Sequence, residues 1–305
     1  MEEILRILPG HIRTFINELP EGQIKELEEI RIRIERPIEI IARGRPFFLP
    51  YVVKPDDAQK LLNKISNFSI YTLEEELRRG YITIPGGHRI GLAGKVILEN
   101  GTVKAIRDVS SFNIRVAREK VGIADHLIPQ IYDGGWLHTM IIGPPQTGKT
   151  TLLRDIGRII SQGRENIPSR KVGIVDERSE IAGSVHGVPQ LTFGPRVDVL
   201  DACPKAEGMM MMIRSMSPEV LIVDEIGRKE DCEAVLEAVN AGITLIITTH
   251  GHSLTEVRNR PILQPVLEMG IFERFIELGR GEAPGTIVSV KDKNGRELRC
   301  PERVK

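Results

Sequence analysis

The eight residues Gly143-Pro144-Pro145-Gln146-Thr147-Gly148-Lys149-Thr150 restrict this chain more than any other stretch, because they fit the spacing G-x-x-x-x-G-K-[ST] of a phosphate-binding loop. Both flanks agree with that reading. Thr139-Met140-Ile141-Ile142 is a short apolar run of the kind a buried parallel strand presents, and Lys149 to Gln162 carries Leu152, Leu153, Ile156, Ile159 and Ile160 at helical spacing. Strand, glycine-bearing turn and helix in that order offer a polyphosphate unpaired N–H groups and the positive end of a helix dipole. Pro144 and Pro145 have no N–H, so the donors must lie between Gln146 and Thr151, with the prolines stiffening the approach. Lys149 is expected to reach the β- and γ-phosphates, and the Thr150 hydroxyl to hold Mg²⁺.

A length of 305 residues suggests two domains. The 42 basic and 42 acidic residues cancel, which gives no global electrostatic reason for a polyanionic partner. Cys203, Cys232 and Cys300 are odd in number and far apart, so neither a disulfide framework nor a zinc site is expected, and a reducing cytoplasm fits. Met1-Glu2-Glu3 is acidic where a signal peptide would be basic, and no apolar run approaches the roughly 20 residues that span a bilayer. Membrane association is then expected to be peripheral, through protein partners.

The first 118 residues read as a small α+β domain. Ile4, Leu5, Leu8, Ile12, Phe15, Ile16 and Leu19 recur at helical spacing around a break at Pro9-Gly10. From Glu28 the period changes, with Ile30, Ile32 and Ile34 alternating with Arg31, Arg33 and Glu35, the mark of a half-buried strand whose arginines lie on a solvated face. Strands follow at Ile38 to Ala42 and Pro46 to Leu49, a helix from Pro55, and a capped helix from Thr72-Leu73-Glu74-Glu75. Tyr81 to Ile84, His88 to Leu98, Thr102 to Val109 and Phe112 to Ala117 are further strands, with a hairpin turn at Asn100-Gly101. Residues 119 to 137 read as a linker with a short helix. From 138 to 305 apolar strands at Val172 to Val175, Val220 to Val223 and Ile243 to Ile247 alternate with helices near 204 to 215 and 229 to 241, the rhythm of a parallel α/β sheet. A terminal meander covers Phe272 to Leu278, Thr286 to Val290 and Glu297 to Cys300.

Three more strand ends carry chemistry. Val220-Leu221-Ile222-Val223 runs into Asp224-Glu225, which places Asp224 on the Mg²⁺ shell and Glu225 where it would polarise an attacking water. Val172 to Val175 runs into Asp176-Glu177-Arg178-Ser179-Glu180, an acidic cluster expected in the same crevice because strand C-termini face the ligand in a doubly wound sheet. Thr248-Thr249-His250-Gly251-His252 ends another strand, where His250 more than His252 is positioned to sense a γ-phosphate. No N-K-x-D base-reading motif follows the loop, which disfavours a GTPase.

Assembled in order, the segments GPPQTGKTT, VGIVDERSEIAG, MIRSMSPEVLIVDEIGR and AGITLIITTHGHS resemble the Walker A, Asp box, Walker B and His box of the type II and type IV secretion ATPase superfamily. The segments VDERSEIAG, FGPRVDVLD, VDEIGR and VSSFNIRVARE resemble more closely a sporulation branch of it, so the likeness covers most of the chain. It implies a RecA-like P-loop ATPase domain with a parallel-rich central sheet behind a smaller α+β domain. It also implies ATP bound by Gly143, Pro144, Gln146, Thr147, Gly148, Lys149, Thr150 and Thr151, Mg²⁺ at Thr150 and Asp224, and catalysis by Lys149, Glu225, Glu177 and His250. One departure is Asp224-Glu225, where many secretion motors have Gly-Glu; the metal role of Asp224 is firmer for it.

The resemblance further implies a homo-oligomer, a hexameric ring with ATP between subunits, driving a membrane-associated, secretion-like assembly that joins mother cell and forespore during sporulation. Arg107, Arg115, Arg118, Arg196 and Arg214 are candidates for the charge a neighbour would supply, and among Met209 to Met212 two are expected in the core and the rest at a subunit contact. Two other readings stand beside it. One is a RecA-like ATPase on nucleic acid, prompted by the arginine-rich strands and weakened by zero net charge and few aromatics; the other is a nucleotide-gated scaffold with little hydrolysis.

Overall fold

The computed structural model describes residues 1–66, 74–281 and 285–298. The capping sequence that begins at Thr72 lies outside them, as does Cys300. The chain divides into two compact units, Met1–Arg118 and Glu119–Lys305.

In the first unit, three short helices, α1 (Glu2–Ile7), α2 (Gly10–Asn17) and α3 (Glu21–Lys25), lead into strands β1 (Leu27–Arg33), β2 (Pro37–Ala42) and β3 (Arg45–Val52). Helices α4 (Pro55–Ile65) and α5 (Glu74–Arg79) precede β4 (Tyr81–Ile84), β5 (His88–Glu99) and β6 (Thr102–Arg115). The six strands form an antiparallel sheet in the order β3-β2-β1-β6-β5-β4. Alternation in the sequence sets its faces: Ile30, Ile32, Ile90, Phe112 and Ile114 are buried with Ile4, Leu8, Ile12 and Ile16 of the N-terminal helices. Arg31 and Arg33 take the other face, paired with Glu29 at 2.8 Å and Glu39 at 2.7 Å.

The sequence suggests two strands between Thr102 and Ala117, whereas β6 is continuous. The pairing register slips between Ala93 and Lys95, and Asp108 adopts a positive φ of 46° opposite. Gly94 makes this possible, because a Cβ there would stand 2.6 Å from the Asp108 carbonyl. A bulge absorbs the break in alternation that reads as a strand boundary.

The second unit contains α6 (Ile128–Ile131), β7 (Thr139–Ile142), α7 (Lys149–Gln162), β8 (Val172–Asp176), β9 (Val197–Asp201), α8 (Lys205–Ser215) and β10 (Val220–Val223). Then come α9 (Lys229–Asn240), β11 (Thr244–Thr249), α10 (Leu254–Arg258), α11 (Gln264–Glu268), β12 (Arg274–Leu278), β13 (Ile287–Asp292) and β14 (Glu297–Leu298). They form one sheet in the order β14-β13-β12-β7-β11-β10-β8-β9. The stretch from β12 to β9 is parallel throughout, and β13 and β14 extend it antiparallel.

Apolar layers cover both faces of this sheet. Met140, Val175, Leu221, Val223, Leu245 and Ile247 pack with α8, α9, α10 and α11 on one side. Ile141, Ile174, Val220, Ile222 and Ile246 pack with Leu152, Leu153, Ile156, Ile159 and Ile160 of α7 on the other. Double coverage explains why the strands read as unbroken apolar runs. Met209 and Met212 enter the core while Met211 is half exposed.

Three sequence expectations change here. Residues 119–137 are not a linker: Ala124, Leu127, Ile128, Ile131 and Trp136 are buried beneath α7, and Asp155 accepts the backbone N–H groups of Gly122 and Ala124. β9 is a strand the sequence hides, because Val197-Asp198-Val199-Leu200-Asp201 mixes acids into an edge strand whose five residues are all only partly buried. β12 is not part of an antiparallel meander alone, since it pairs in parallel with β7, the strand that leads into the phosphate loop.

Candidate functional site

The loop after β7 has the geometry its sequence predicts. Gly148 caps α7 with φ 88°, and Gln146 has φ 65°, so the backbone turns back on itself where a side chain at position 148 would be strained. A Cβ on Gly143 would stand 2.6 Å from Thr147 Oγ1, which leaves glycine as the residue that fits. Thr147 Oγ1 donates to the Pro144 carbonyl at 2.8 Å, and Lys149 Nζ donates to the same carbonyl at 3.1 Å. Pro144 thus contributes the carbonyl that holds the side chains of Thr147 and Lys149. Pro144, Gln146 and Thr151 complete the turn into the helix.

Lys149 is almost fully buried. Burial lowers its pKa from the ordinary lysine value, against the raising effect of Glu225, Asp224 and Glu180. Its Nζ also lies 3.3 Å from His250 Nδ1, and His250 Nε2 lies 3.0 Å from Glu225 Oε1. An ammonium only donates, so Nδ1 must accept and the proton of a neutral His250 must sit on Nε2, facing the carboxylate. The loop lysine, the strand-end histidine and the strand-end glutamate are joined in one chain, as the ends of three neighbouring strands allow.

On the other side of the loop, Thr150 Oγ1 donates to Asp224 Oδ2 at 2.6 Å, and Thr248 Oγ1 donates to Asp224 Oδ1. Thr248 Oγ1 in turn accepts the Glu225 N–H at 2.8 Å. Glu225 has φ 57°, a sparsely populated conformation for a residue with a side chain, fixed here by this bond and by the Ile226 N–H to the Thr248 carbonyl. A hydroxyl and a carboxylate oxygen in contact are hard donors that suit Mg²⁺, which takes few protein ligands and completes its shell with water and phosphate oxygens. Among the described residues no group of three or more His, Cys, Asp or Glu side chains could hold a metal ion without such help.

Asp176, Glu177, Glu180, Asp224 and Glu225 line one recess together with Arg178 and Lys205. Asp176 is buried with both oxygens committed to the N–H groups of Glu180, Ile181 and Ala182, each at 2.9 Å. It shapes the loop after β8, and does not face a ligand. Its pKa is pushed up to about 6, chiefly by burial, with the three N–H bonds working against the shift. Glu177 is paired with Lys205, and Glu225 Oε2 with Arg178 at 3.1 Å. His252 is exposed, and its backbone N–H caps onto Glu256.

Thr248, Arg178, Lys205 and Arg154 were not singled out by sequence. Arg154, one turn into α7, donates to the carbonyls of Glu180 and Ile181 and ties the acidic loop to the phosphate-loop helix. Arg154 sits on the phosphate-loop helix itself, but its partners come from the loop after β8, and Arg178, Lys205 and Thr248 lie on other elements, so no spacing in the sequence announces these contacts. Of the arginines considered for charge supply, Arg196 lies just before β9, its carbonyl accepting the Val172 N–H at the start of β8, away from the strand C-termini and bonded to Ser169 and Glu219. Arg118 is engaged with Glu26 and the Leu27 carbonyl inside the first unit.

A parallel sheet covered on both faces, with the phosphate loop, two carboxylate-bearing strand ends and a histidine-bearing strand end at one edge, defines the RecA-like P-loop fold of secretion and pilus ATPases. Solved structures bear this out at the level of the fold. The Legionella pneumophila ATPase DotB superimposes with TM-score 0.62 at 16% identity, covering 94% of this chain and 82% of that one. The pilus retraction motor PilT with bound ADP gives TM-score 0.61 at 16% identity, covering 93% and 82%. Within that class the chain belongs to the family Sporulation stage III, protein AA, whose profile matches residues 1–298. Stage III sporulation protein AA of Bacillus subtilis (strain 168) is 57% identical over 298 residues, 98% of this chain and 97% of that protein. The Arabidopsis thaliana protein SEEDLING PLASTID DEVELOPMENT 1 is 32% identical over 286 residues, 93% of this chain and 38% of its own length.

Proposed function

We propose that this chain is an Mg²⁺-dependent ATP hydrolase, working as a homo-oligomeric ring that energises a secretion-like, membrane-associated assembly during sporulation. The observation that carries the reading is the connection of Lys149 to Glu225 through His250, beside the Thr150–Asp224 pair. Phosphate held by the loop amides and Lys149 would present its γ-phosphoryl group to Glu225. The water oxygen attacks phosphorus, the bond to the β–γ bridging oxygen breaks, and the water proton passes to Glu225, leaving ADP and phosphate. Mg²⁺, held through Thr150 and Asp224, would neutralise charge on the β- and γ-oxygens. His250 would exchange its Lys149 contact for the γ-phosphate, and Glu177 would stand as the second carboxylate of the site.

The sporulation role rests on family membership, and the ring and the membrane-bound partners on the likeness to secretion motors. No helix among the described residues is long and apolar enough to cross a membrane, which fits a cytoplasmic enzyme that meets the membrane through other proteins. Phosphate release with MgATP tests the reading. Wild-type protein should release it, with Lys149→Ala and Glu225→Gln each losing about 10²-fold or more. Wild-type inactivity across a range of protein concentrations, with and without membrane partners, would count against it. The nucleic-acid reading gains nothing from Arg31 and Arg33, which are already paired with Glu29 and Glu39.

A further inference from the structure

The recess beside the phosphate loop is lined by Glu177, Glu180, Asp224 and Glu225, with Asp176 turned onto backbone N–H groups, and Arg178 from the chain's own β8 loop touches Glu225 there. Resting on the hydrolase reading above, we propose that Arg178 is a catalytic residue that supplies positive charge to the transferring phosphoryl group in cis. Three observations carry this. Arg178 follows β8 and Glu225 follows β10, neighbouring parallel strands, so their 3.1 Å contact is built into the sheet. The Arg178 side chain is 60% exposed, so it can change partners without disturbing the core. The backbone on either side is fixed: Asp176 is held by three N–H groups, and the Ser179 hydroxyl donates to Asp201 at 2.7 Å.

Charge decides the direction of movement. Glu225 shares its two oxygens between Arg178 and His250, so neither oxygen is free to take a proton from water. A triphosphate entering next to Asp224 and Glu225 raises the negative charge of the recess further. Turning the guanidinium from Glu225 toward the γ-phosphoryl oxygens relieves that excess and frees Oε2 for the attacking water. A planar, permanently charged fork can hold both groups in the transition state, which an ammonium does less well. Lys205 is placed less well for this part, because its side chain is nearly buried where that of Arg178 is exposed.

The test compares Arg178→Ala and Arg178→Lys with the wild-type chain. Arg178→Ala should lower kcat by about 10³-fold or more, the scale of an arginine that contacts the transferring group, with little change in KM, and Arg178→Lys should recover part of it. ADP with aluminium fluoride should bind the alanine variant far more weakly than the wild type, while binding of ADP alone is retained. That retention shows the variant is folded. A mixture of Arg178→Ala with Lys149→Ala chains should stay inactive, because a cis residue cannot complete a site in a neighbouring chain. Recovery of activity in the mixture, wild-type kcat in Arg178→Ala, or a faster Arg178→Ala enzyme would each overturn the proposal. If the wild type releases no phosphate, the fluoride complex still decides: arginine-dependent binding supports this role while the hydrolase reading fails, and arginine-independent binding overturns it.

Discussion

Thr150 Oγ1 and Asp224 Oδ2 are 2.6 Å apart, joining the first turn of the phosphate-loop helix to the end of β10. This contact joins the two side chains that would hold Mg²⁺, so it is the natural place to separate metal binding from nucleotide binding. Thr150→Ala removes one hard donor and leaves the loop amides intact. Its affinity for ATP measured in excess chelator should match the wild type, while the gain on adding Mg²⁺ should shrink by about 10-fold or more, since an oriented donor of this kind is worth roughly 1.5–3 kcal/mol. Equal Mg²⁺ dependence in both proteins, read by calorimetry, would remove Thr150 from the metal shell.

Gly208 offers a test of how tightly α8 supports the acidic loop. A Cβ there would stand 2.5 Å from Val175 Cγ1 and 3.2 Å from Cys203 Sγ. Alanine improves helix propensity by about 1 kcal/mol, but overpacking against a stiff β-branched side chain costs about 1–3 kcal/mol. The second effect should win, and Gly208→Ala should unfold at lower denaturant. Because Val175 precedes Asp176, nucleotide affinity should fall with it.

Asp176 makes the second unit sensitive to pH in an unusual sense. Its pKa is raised to about 6 in the folded chain by burial, above the ordinary carboxylate value. The folded state therefore binds this proton more tightly than the unfolded chain does. The stabilisation is complete below the unfolded pKa and is lost as pH rises through about 6. Chemical denaturation from pH 4 to 7 should show Asp176→Asn with less decline over that interval than the wild type.

His88 works in the opposite direction in the first unit. It is buried, and its Nδ1 accepts the Ala117 N–H at 2.9 Å. Its pKa falls to about 4, chiefly through burial, with the charge of the N-terminal amine adding to the shift. The neutral ring stabilises the fold above its ordinary pKa, and that stability is lost as pH falls toward about 4. His88→Gln should flatten the acid side of the first unit's stability profile; an unchanged profile would assign the acid sensitivity elsewhere.

The sequence alone determines the strand-loop-helix of the phosphate site and the buried strands β8, β10 and β11, because apolar runs and glycine positions are local signals. The order of four motifs also points to the superfamily. Tertiary structure decides what those signals leave open. It folds residues 119–137 into the core, since burial of Leu127 and Trp136 depends on α7. It turns Asp176 inward to bind backbone while its neighbours Glu177 and Arg178 turn to the recess, a division that no spacing announces. It also sets Arg178 on Glu225 and His250 between Glu225 and Lys149, contacts across 47, 25 and 101 positions of chain. Such contacts exist only because parallel strands bring their C-terminal ends to one edge, and the register between strands is a property of the whole sheet.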